Sequence, residues 1–205
     1  MRVLIACEES QRLCIAFRVF GHEAFSCDLL PCSGGFPQWH IQDDAAAVIS
    51  DKWDMIIAHP PCTYLSNAGA CRLYPTKGTL DIERYFKGIQ ARDFFMMFYN
   101  CKCPRVAIEN PLPSKIFDLP VPSQIVQPYF FGDHYSKKTL LWLKGLPNLI
   151  STNVVSHVPF VSCGCSRYKG IKDKSGFSRS GGAAKIRSKT FPGIALAMVT
   201  QWGCL

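Results

Sequence analysis

Apolar and polar positions form blocks along the first 110 residues, and the blocks have the lengths of strands and helices. Short apolar runs predict strands at residues 3–6, 24–27, 55–58 and 105–109. Helical spacing predicts helices at 11–20, from Asp43 or Asp44 to 49, at 82–99 and at 192–202. This alternation predicts an α/β fold with a doubly wound, mostly parallel sheet.

The same pattern predicts which side chains face the core. We expect the first helix to bury Leu13, Ala16, Phe17 and Phe20, and the longest helix to bury Phe86, Ile89, Phe94 and Met97. Two further strands are predicted after a proline-rich segment, at about 125–131 and 139–143.

Composition changes near Gly145, and it divides the 205-residue chain into three parts. Residues 1–145 form the predicted α/β core, 146–190 a short basic segment, and 191–205 a helix that packs back on the core. No apolar run approaches the length of about 20 residues that spans a bilayer, and the N-terminus lacks a signal-peptide pattern. We therefore expect a cytoplasmic protein without a membrane partner, present as a monomer or weak dimer.

The charge pattern favours a polyanionic partner. The net charge is +8, and residues 167–189 hold eight Lys or Arg residues but one acid, Asp173. The alternative is a solvated basic loop. The predicted phosphate-contacting residues are Arg167, Lys169, Lys172, Lys174, Arg179, Lys185 and Arg187.

The eleven cysteines form no regular disulfide framework, which is typical of a reduced, intracellular protein. Cys163 and Cys165 could be half of a zinc site with His157, but four correctly spaced ligands are not evident. We predict no metal site.

One stretch carries candidate chemistry. The apolar strand at 55–58 ends at His59-Pro60-Pro61-Cys62, and the strand at 105–109 ends at Glu109-Asn110-Pro111. If these strands are parallel, Cys62 and Glu109 emerge at one edge, where open α/β sheets bind ligands. The alternative for Cys62 is a small buried apolar residue. We expect Asn110 to hold the loop backbone, and His59 to line the pocket or carry a proton.

Pro60-Pro61-Cys62 and Glu109-Asn110, with their strands, resemble the DNA cytosine-5 methyltransferases, and more closely the short methyltransferase-like proteins of phage genomes. The resemblance implies a Rossmann-like sheet of the class I type that uses S-adenosylmethionine. It implies that Cys62 is the nucleophile and that Glu109 contacts ring nitrogen 3. Lys137 and Lys138 stand where the family has a Gln-x-Arg-x-Arg element, and either could supply the positive charge.

The resemblance also implies a cofactor, S-adenosylmethionine, across the first strand ends. The residues that it implies as cofactor contacts are Ala6, Glu8, Glu9, Ser10, Asp28, Asp44 and Pro60. Asp28 and Asp44 have the alternative roles of turn former and helix cap. The family's first loop is rich in glycine, whereas this loop reads Cys7-Glu8-Glu9-Ser10-Gln11.

The predicted function is therefore methylation of DNA, double- or single-stranded, at cytosine carbon 5, in a bacterial host cell, with a phage gene as an alternative source. Fewer than 50 residues are available for target recognition, so we expect little sequence specificity. Two alternatives stay open, modification of free cytosine nucleotides and a catalytically idle nucleic-acid-binding relative.

Overall fold

A single mixed sheet organises the fold. The computed structural model describes residues 1–70, 72–160 and 188–205. In these residues the strands are β1 Arg2–Ala6, β2 Glu23–Cys27, β3 His40–Ile41, β4 Met55–Ala58, β5 Val106–Asn110, β6 Gln124–Val126, β7 Tyr135–Ser136, β8 Thr139–Lys144 and β9 Val158–Pro159. The helices are α1 Arg12–Val19, α2 Ala45–Val48, α3 Asn67–Ala70, α4 Ile82–Asn100 and α5 Pro192–Trp202.

Seven of the described strands form the sheet, in the order β3-β2-β1-β4-β5-β8-β6. The neighbours from β3 to β5 pair in parallel, whereas β8 runs antiparallel to both β5 and β6. The chain moves outward from β1 through β2 to β3, then returns to the other side of β1 with β4. This change of direction puts a crevice at the carboxyl ends of β1 and β4. The predicted α/β class is confirmed.

Helices cover both faces of the sheet because successive side chains of a strand point to opposite sides. Val3 and Ile5 of β1 pack in one core cluster with α1 and α5. Leu4 of β1 and Ile56 of β4 pack in a second cluster with α4. Two-sided burial explains why the central strands are continuous apolar runs.

The predicted positions of the helices are confirmed, but two predicted helix faces need correction. On α1 Phe20 is 49% exposed, and Cys14 is buried instead. On α4 Phe86 is 60% exposed, whereas Phe95 and Phe98 are fully buried. Ile89, Phe94 and Met97 are partly buried beside them. Close packing sets the rotation of α4, because a Cβ atom on Gly88 would overlap the ring of Phe117.

The predicted strand at 125–131 is also wrong in extent. β6 ends at Val126, and Pro128–Phe130 form a 3₁₀ turn, because proline cannot donate to a sheet ladder. The predicted strand at 139–143 is confirmed as β8.

The chain after β8 lies along α5. Leu149 is buried in the core cluster of α1 and α5. Trp202 donates from Nε1 to the carbonyl of Pro147 at 3.0 Å, and Gln201 exchanges two hydrogen bonds with the backbone of Ile150. Among the described helices, none has both the length and the apolar character required to cross a bilayer.

Candidate active site

The carboxyl ends of β4 and β5 carry the first group of candidate residues. The two strands are parallel neighbours in which Ala58 pairs with Ile108, so the residues that follow them emerge at the same edge. Cys62 follows β4 after Pro60 and Pro61 and is partly buried. The predicted common edge for Cys62 and Glu109 is confirmed.

Hydrogen bonds hold the Cys62 loop against the end of β5. Asn110 donates from Nδ2 to the carbonyl of Pro60 at 2.9 Å, and the carbonyl of Cys62 accepts from the Ser66 amide at 2.8 Å. Asn67 donates to Leu112 and Ser114 donates to Leu65, each at 2.8 Å. Because Pro60 and Pro61 fix their own φ, these bonds complete a constrained loop.

Arg84 of α4 supports the same loop from outside. Its guanidinium donates to the carbonyls of Thr63 at 3.1 Å and Gly69 at 3.3 Å, and it lies 4.9 Å from the ring centroid of Tyr64. The segment that follows Cys62 is therefore fixed to the long helix as well as to β5.

His59 and Glu109 form an ion pair at the centre of this edge. Nδ1 of His59 lies 3.0 Å from Oε2 of Glu109, and the two side chains are 13% and 14% exposed. Burial alone would lower the pKa of His59, but the hydrogen bond and charge of Glu109, together with the charge of Glu8, raise it. Burial alone would raise the pKa of Glu109, but the same pairing lowers it. The arrangement favours imidazolium beside carboxylate.

Lys137 brings positive charge to Cys62. Burial raises the pKa of the Cys62 thiol, and the Lys137 ammonium acts in the opposite direction. Lys137 also lies 5.7 Å from the ring centroid of Phe191, which precedes α5. Lys138 is exposed. The structure thus brings Lys137 to the site, while Lys138 faces solvent.

Glu8 belongs to the second group, at the end of β1, and its carboxylate binds the N-terminus of α1. Oε1 accepts from the Leu13 amide at 2.8 Å and Oε2 accepts from the Cys14 amide at 3.2 Å. The Ser10 hydroxyl lies 3.5 Å from Oε1. Burial raises the pKa of Glu8, against the charge of His59 and these amide hydrogen bonds. Glu8 therefore joins the first loop electrostatically to the His59–Glu109 pair.

The first loop has backbone conformations that usually require glycine. Cys7 has a φ of 60° and Gln11 a φ of 58°. A left-handed non-glycine residue costs of order 1–3 kcal/mol and persists only where its surroundings hold it. Gln11 is held by Phe36, since their side-chain amide and backbone exchange hydrogen bonds of 2.8 and 3.1 Å.

Asp28 and Asp44 both lie close enough to Cys7, just after β1, for their charges to act on its thiol. Burial raises the pKa of the Cys7 thiol, and the charges of Asp28 and Asp44 raise it further. Asp28 accepts from the Leu30 amide at 2.9 Å, as a turn former does. Asp44 caps α2 by accepting from the Ala46 amide at 2.9 Å. Both structural roles that the sequence left open are therefore present, and both carboxylates still lie near Cys7.

The remaining predicted contacts differ in accessibility. Ala6 is fully buried in β1, Ser10 is 7% exposed, and Pro60 is buried with its carbonyl bound by Asn110. Glu9 is partly exposed. The predicted phosphate-contacting residues from Arg167 to Arg187 lie outside the described residues, as do Cys163 and Cys165. Within the described ranges, no three His, Cys, Asp or Glu side chains are grouped to hold a metal ion.

The ion pair between His59 and Glu109 is the feature that sequence reasoning missed. The signal was present, because His59 follows β4 at the position level with Glu109 on the neighbouring strand, but reading it requires the strand register. No family model matches the chain, and no curated protein is significantly similar to it.

Proposed function

We propose that the protein is a cytosine-5 methyltransferase that acts on DNA and uses S-adenosylmethionine. The observation that carries the proposal is the meeting of a partly buried thiol, Cys62, with the paired carboxylate of Glu109 and the charge of Lys137 at two parallel strand ends. Nucleophile, hydrogen-bonding carboxylate and cation are the groups that addition to a cytosine ring requires.

The chemistry assigns a task to each group. Carbon 5 of cytosine is a weak nucleophile until electrons enter the ring, and the thiolate of Cys62 supplies them by adding at carbon 6. Lys137 favours that thiolate, whose formation burial opposes. Glu109 assists at ring nitrogen 3. When bound, S-adenosylmethionine supplies the methyl group that carbon 5 accepts. Loss of the carbon 5 proton then allows Cys62 to leave.

The ends of β1 and β2 suit a cationic cofactor better than one that carries phosphates. In sheets of this kind the N-terminus of the first helix is a natural phosphate site, but here the carboxylate of Glu8 occupies those amides. The nearby charges of Asp28 and Asp44 would repel a phosphate and attract a sulfonium or ammonium. Asp28 would hold the ribose hydroxyls, and Asp44 the adenine amino group.

The sheet and the charge balance support the finer assignment. A mostly parallel sheet with β8 reversed near one edge is compatible with the Rossmann-like methyltransferase type. Cys7 and Gln11 adopt the left-handed conformation that glycine usually adopts, so the first loop has this backbone conformation at two positions without glycine. The net charge of +8 supports a DNA substrate, whose backbone contacts would offset the few kcal/mol needed to extrude a base.

The test is transfer of labelled methyl from S-adenosylmethionine to unmodified DNA, with free cytosine nucleotides assayed in parallel. We expect label at carbon 5 of cytosine in DNA, lost in Cys62→Ala and kept in Cys204→Ala, which changes an exposed cysteine near the C-terminus. Label in free nucleotides alone would show that the substrate is the nucleotide rather than DNA. Equal labelling by wild type and Cys62→Ala would reject the covalent mechanism, and absence of both labelling and cofactor binding would reject the enzyme.

A further inference from the structure

We infer that His59 is a positioning residue that supplies a proton through Glu109: its imidazolium provides the proton that cytosine nitrogen 3 takes when Cys62 adds to carbon 6. The inference rests on the proposed function and deepens it, because the resemblance assigns Glu109 to nitrogen 3 without a source for the proton. His59 acts through Glu109 and need not touch the substrate.

Strand register places the two groups together. Ala58 of β4 pairs with Ile108 of β5, so His59 and Glu109 follow at the same level. Side chains alternate along a strand, and Ile57 and Ala107 both face the cluster of α1 and α5. His59 and Glu109 therefore continue one face of the sheet, which explains their 3.0 Å contact.

The surroundings of the imidazole favour its charged form. Three charged groups act on it: Glu109 from β5, Glu8 from the loop after β1, and Lys137 from the segment before β8. Two carboxylates outweigh one ammonium, and they raise the pKa of His59 although burial opposes this. Its Nε2 atom is buried and lacks a hydrogen-bond partner among the described residues. The contact between Nδ1 and Oε2 and the charges around it therefore favour an imidazolium on His59 beside a carboxylate on Glu109.

A carboxylate can accept a hydrogen bond from the cytosine amino group but cannot protonate nitrogen 3. The addition step removes this difficulty. As the sulfur of Cys62 bonds to carbon 6, the carbon 5–carbon 6 π pair moves to the carbon 4–carbon 5 bond. The π pair between carbon 4 and nitrogen 3 then moves onto nitrogen 3, which becomes basic.

The proton then passes in two linked transfers. Nδ1 of His59 gives its proton to Oε2 of Glu109, which becomes a carboxylic acid, and rotation of the carboxyl group lets the same O–H give that proton to nitrogen 3. Thiolate and imidazolium are consumed, and a neutral adduct and a neutral imidazole result, so charge balances. The same transfers run in reverse when Cys62 leaves.

The experiment measures release of tritium from carbon 5 of cytosine in DNA without S-adenosylmethionine, because the adduct exchanges that hydrogen with water. His59→Asn keeps a neutral donor near Nδ1 but carries no titratable proton. We expect exchange to fall about 100-fold, the usual scale for loss of an acid–base group. His22→Asn, before β2 at the opposite edge of the sheet, is the matched control and should exchange at the wild-type rate.

The pH profile separates proton supply from a structural role. Wild-type exchange should decline as the pH rises through the raised pKa of His59, and His59→Asn should lack that decline. A variant that is slower at every pH with the wild-type profile would overturn the inference, as would an unchanged rate. Absence of exchange by the wild type would instead overturn the proposed function itself.

A second measurement needs neither DNA nor the His59→Asn variant, so it tests the inference even if that variant does not fold. Nitrogen NMR of the imidazoles in wild type and Glu109→Gln should show a titration of His59 above its ordinary value of 6.5, and a lower one in the variant. If His59 titrated at the same pH in both proteins, Glu109 would not hold the proton on His59, and the inference would be overturned whatever the enzymatic activity.

Discussion

Asn110 donates a hydrogen bond from Nδ2 to the carbonyl oxygen of Pro60 over 2.9 Å, and this bond joins the end of β5 to the loop that carries Cys62. Asn110 is only 3% exposed. The bond confirms the expectation that Asn110 holds the loop backbone. With the backbone bonds of Asn67 to Leu112 and of Ser114 to Leu65, it fixes the position of Cys62 relative to Glu109.

Asn110→Ala should therefore destabilise the protein and loosen the Cys62 loop. The carbonyl of Pro60 would be left buried without a donor, which costs about 1–3 kcal/mol of unfolding free energy. Urea unfolding measures this loss. Asn100→Ala at the exposed end of α4 is the control and should change stability by less than about 0.5 kcal/mol. Equal stability of Asn110→Ala and wild type would show that the bond contributes nothing.

Lys137 and Lys138 are adjacent lysines, and removing the charge of each in turn tests which one acts on the reactivity of Cys62. Because the Lys137 ammonium lowers the pKa that burial raises, Lys137→Gln should leave less thiolate and slow alkylation of Cys62 by iodoacetamide. Each unit by which the pKa rises reduces the thiolate fraction roughly tenfold. Lys138→Gln removes the same charge from an exposed position, and alkylation should stay close to the wild-type rate.

Peptide mass spectrometry at several times distinguishes Cys62 from the other ten cysteines of the chain. If Lys137→Gln and Lys138→Gln slowed the alkylation of Cys62 equally, the effect would come from net charge rather than from the position of Lys137.

Glu8 should stabilise α1 through the amides of Leu13 and Cys14. Glu8→Ala leaves both amides unsatisfied, and we expect a loss of about 1–3 kcal/mol in unfolding free energy. Glu8→Gln keeps one accepting oxygen and should lose less. Hydrogen exchange at the two amides, together with urea unfolding, tests whether Glu8→Ala loses more stability than Glu8→Gln. Glu23→Ala, at the exposed end of β2, is the control. Unchanged protection of both amides in Glu8→Ala would contradict the capping role.

The His59–Glu109 pair predicts a pH window of stability. The pKa of His59 is raised, so its contribution is complete below its ordinary value of 6.5 and is lost as the pH rises through the raised value. The pKa of Glu109 is lowered, so its contribution is complete above the ordinary value of 4.5 and is lost as the pH falls through the lowered value. The pair contributes fully between these two ordinary values.

Unfolding free energies of wild type and His59→Asn should therefore differ most at about pH 5.5 and less at about pH 8.5. Urea unfolding of both proteins at both pH values measures the difference, in which the titrations of all other groups cancel because the two proteins share them. A gap between the proteins that is constant with pH would mean that the pair is not charged.

Local pattern predicted much of the fold because the central strands are buried on both faces and therefore read as apolar runs. The runs at 3–6, 24–27 and 55–58 correspond to β1, β2 and β4, and Asp44 caps α2 as its residue type favours. The predicted rotation of α4 was wrong because Gly88 must face Phe117, a contact between residues far apart in the sequence. The extent of β6 was wrong because Pro128 was included in a strand that it ends.

The sequence by itself determined the chemical groups and the strand ends at which they stand, since Pro60-Pro61-Cys62 and Glu109-Asn110 each follow an apolar run. Tertiary structure decided their partners. The register of β4 against β5 brings His59 to Glu109, and the packing of the segment before β8 brings Lys137 rather than Lys138 to Cys62. Such choices depend on which strands are neighbours and how helices rotate against them, and these properties belong to contacts between distant segments rather than to any local pattern.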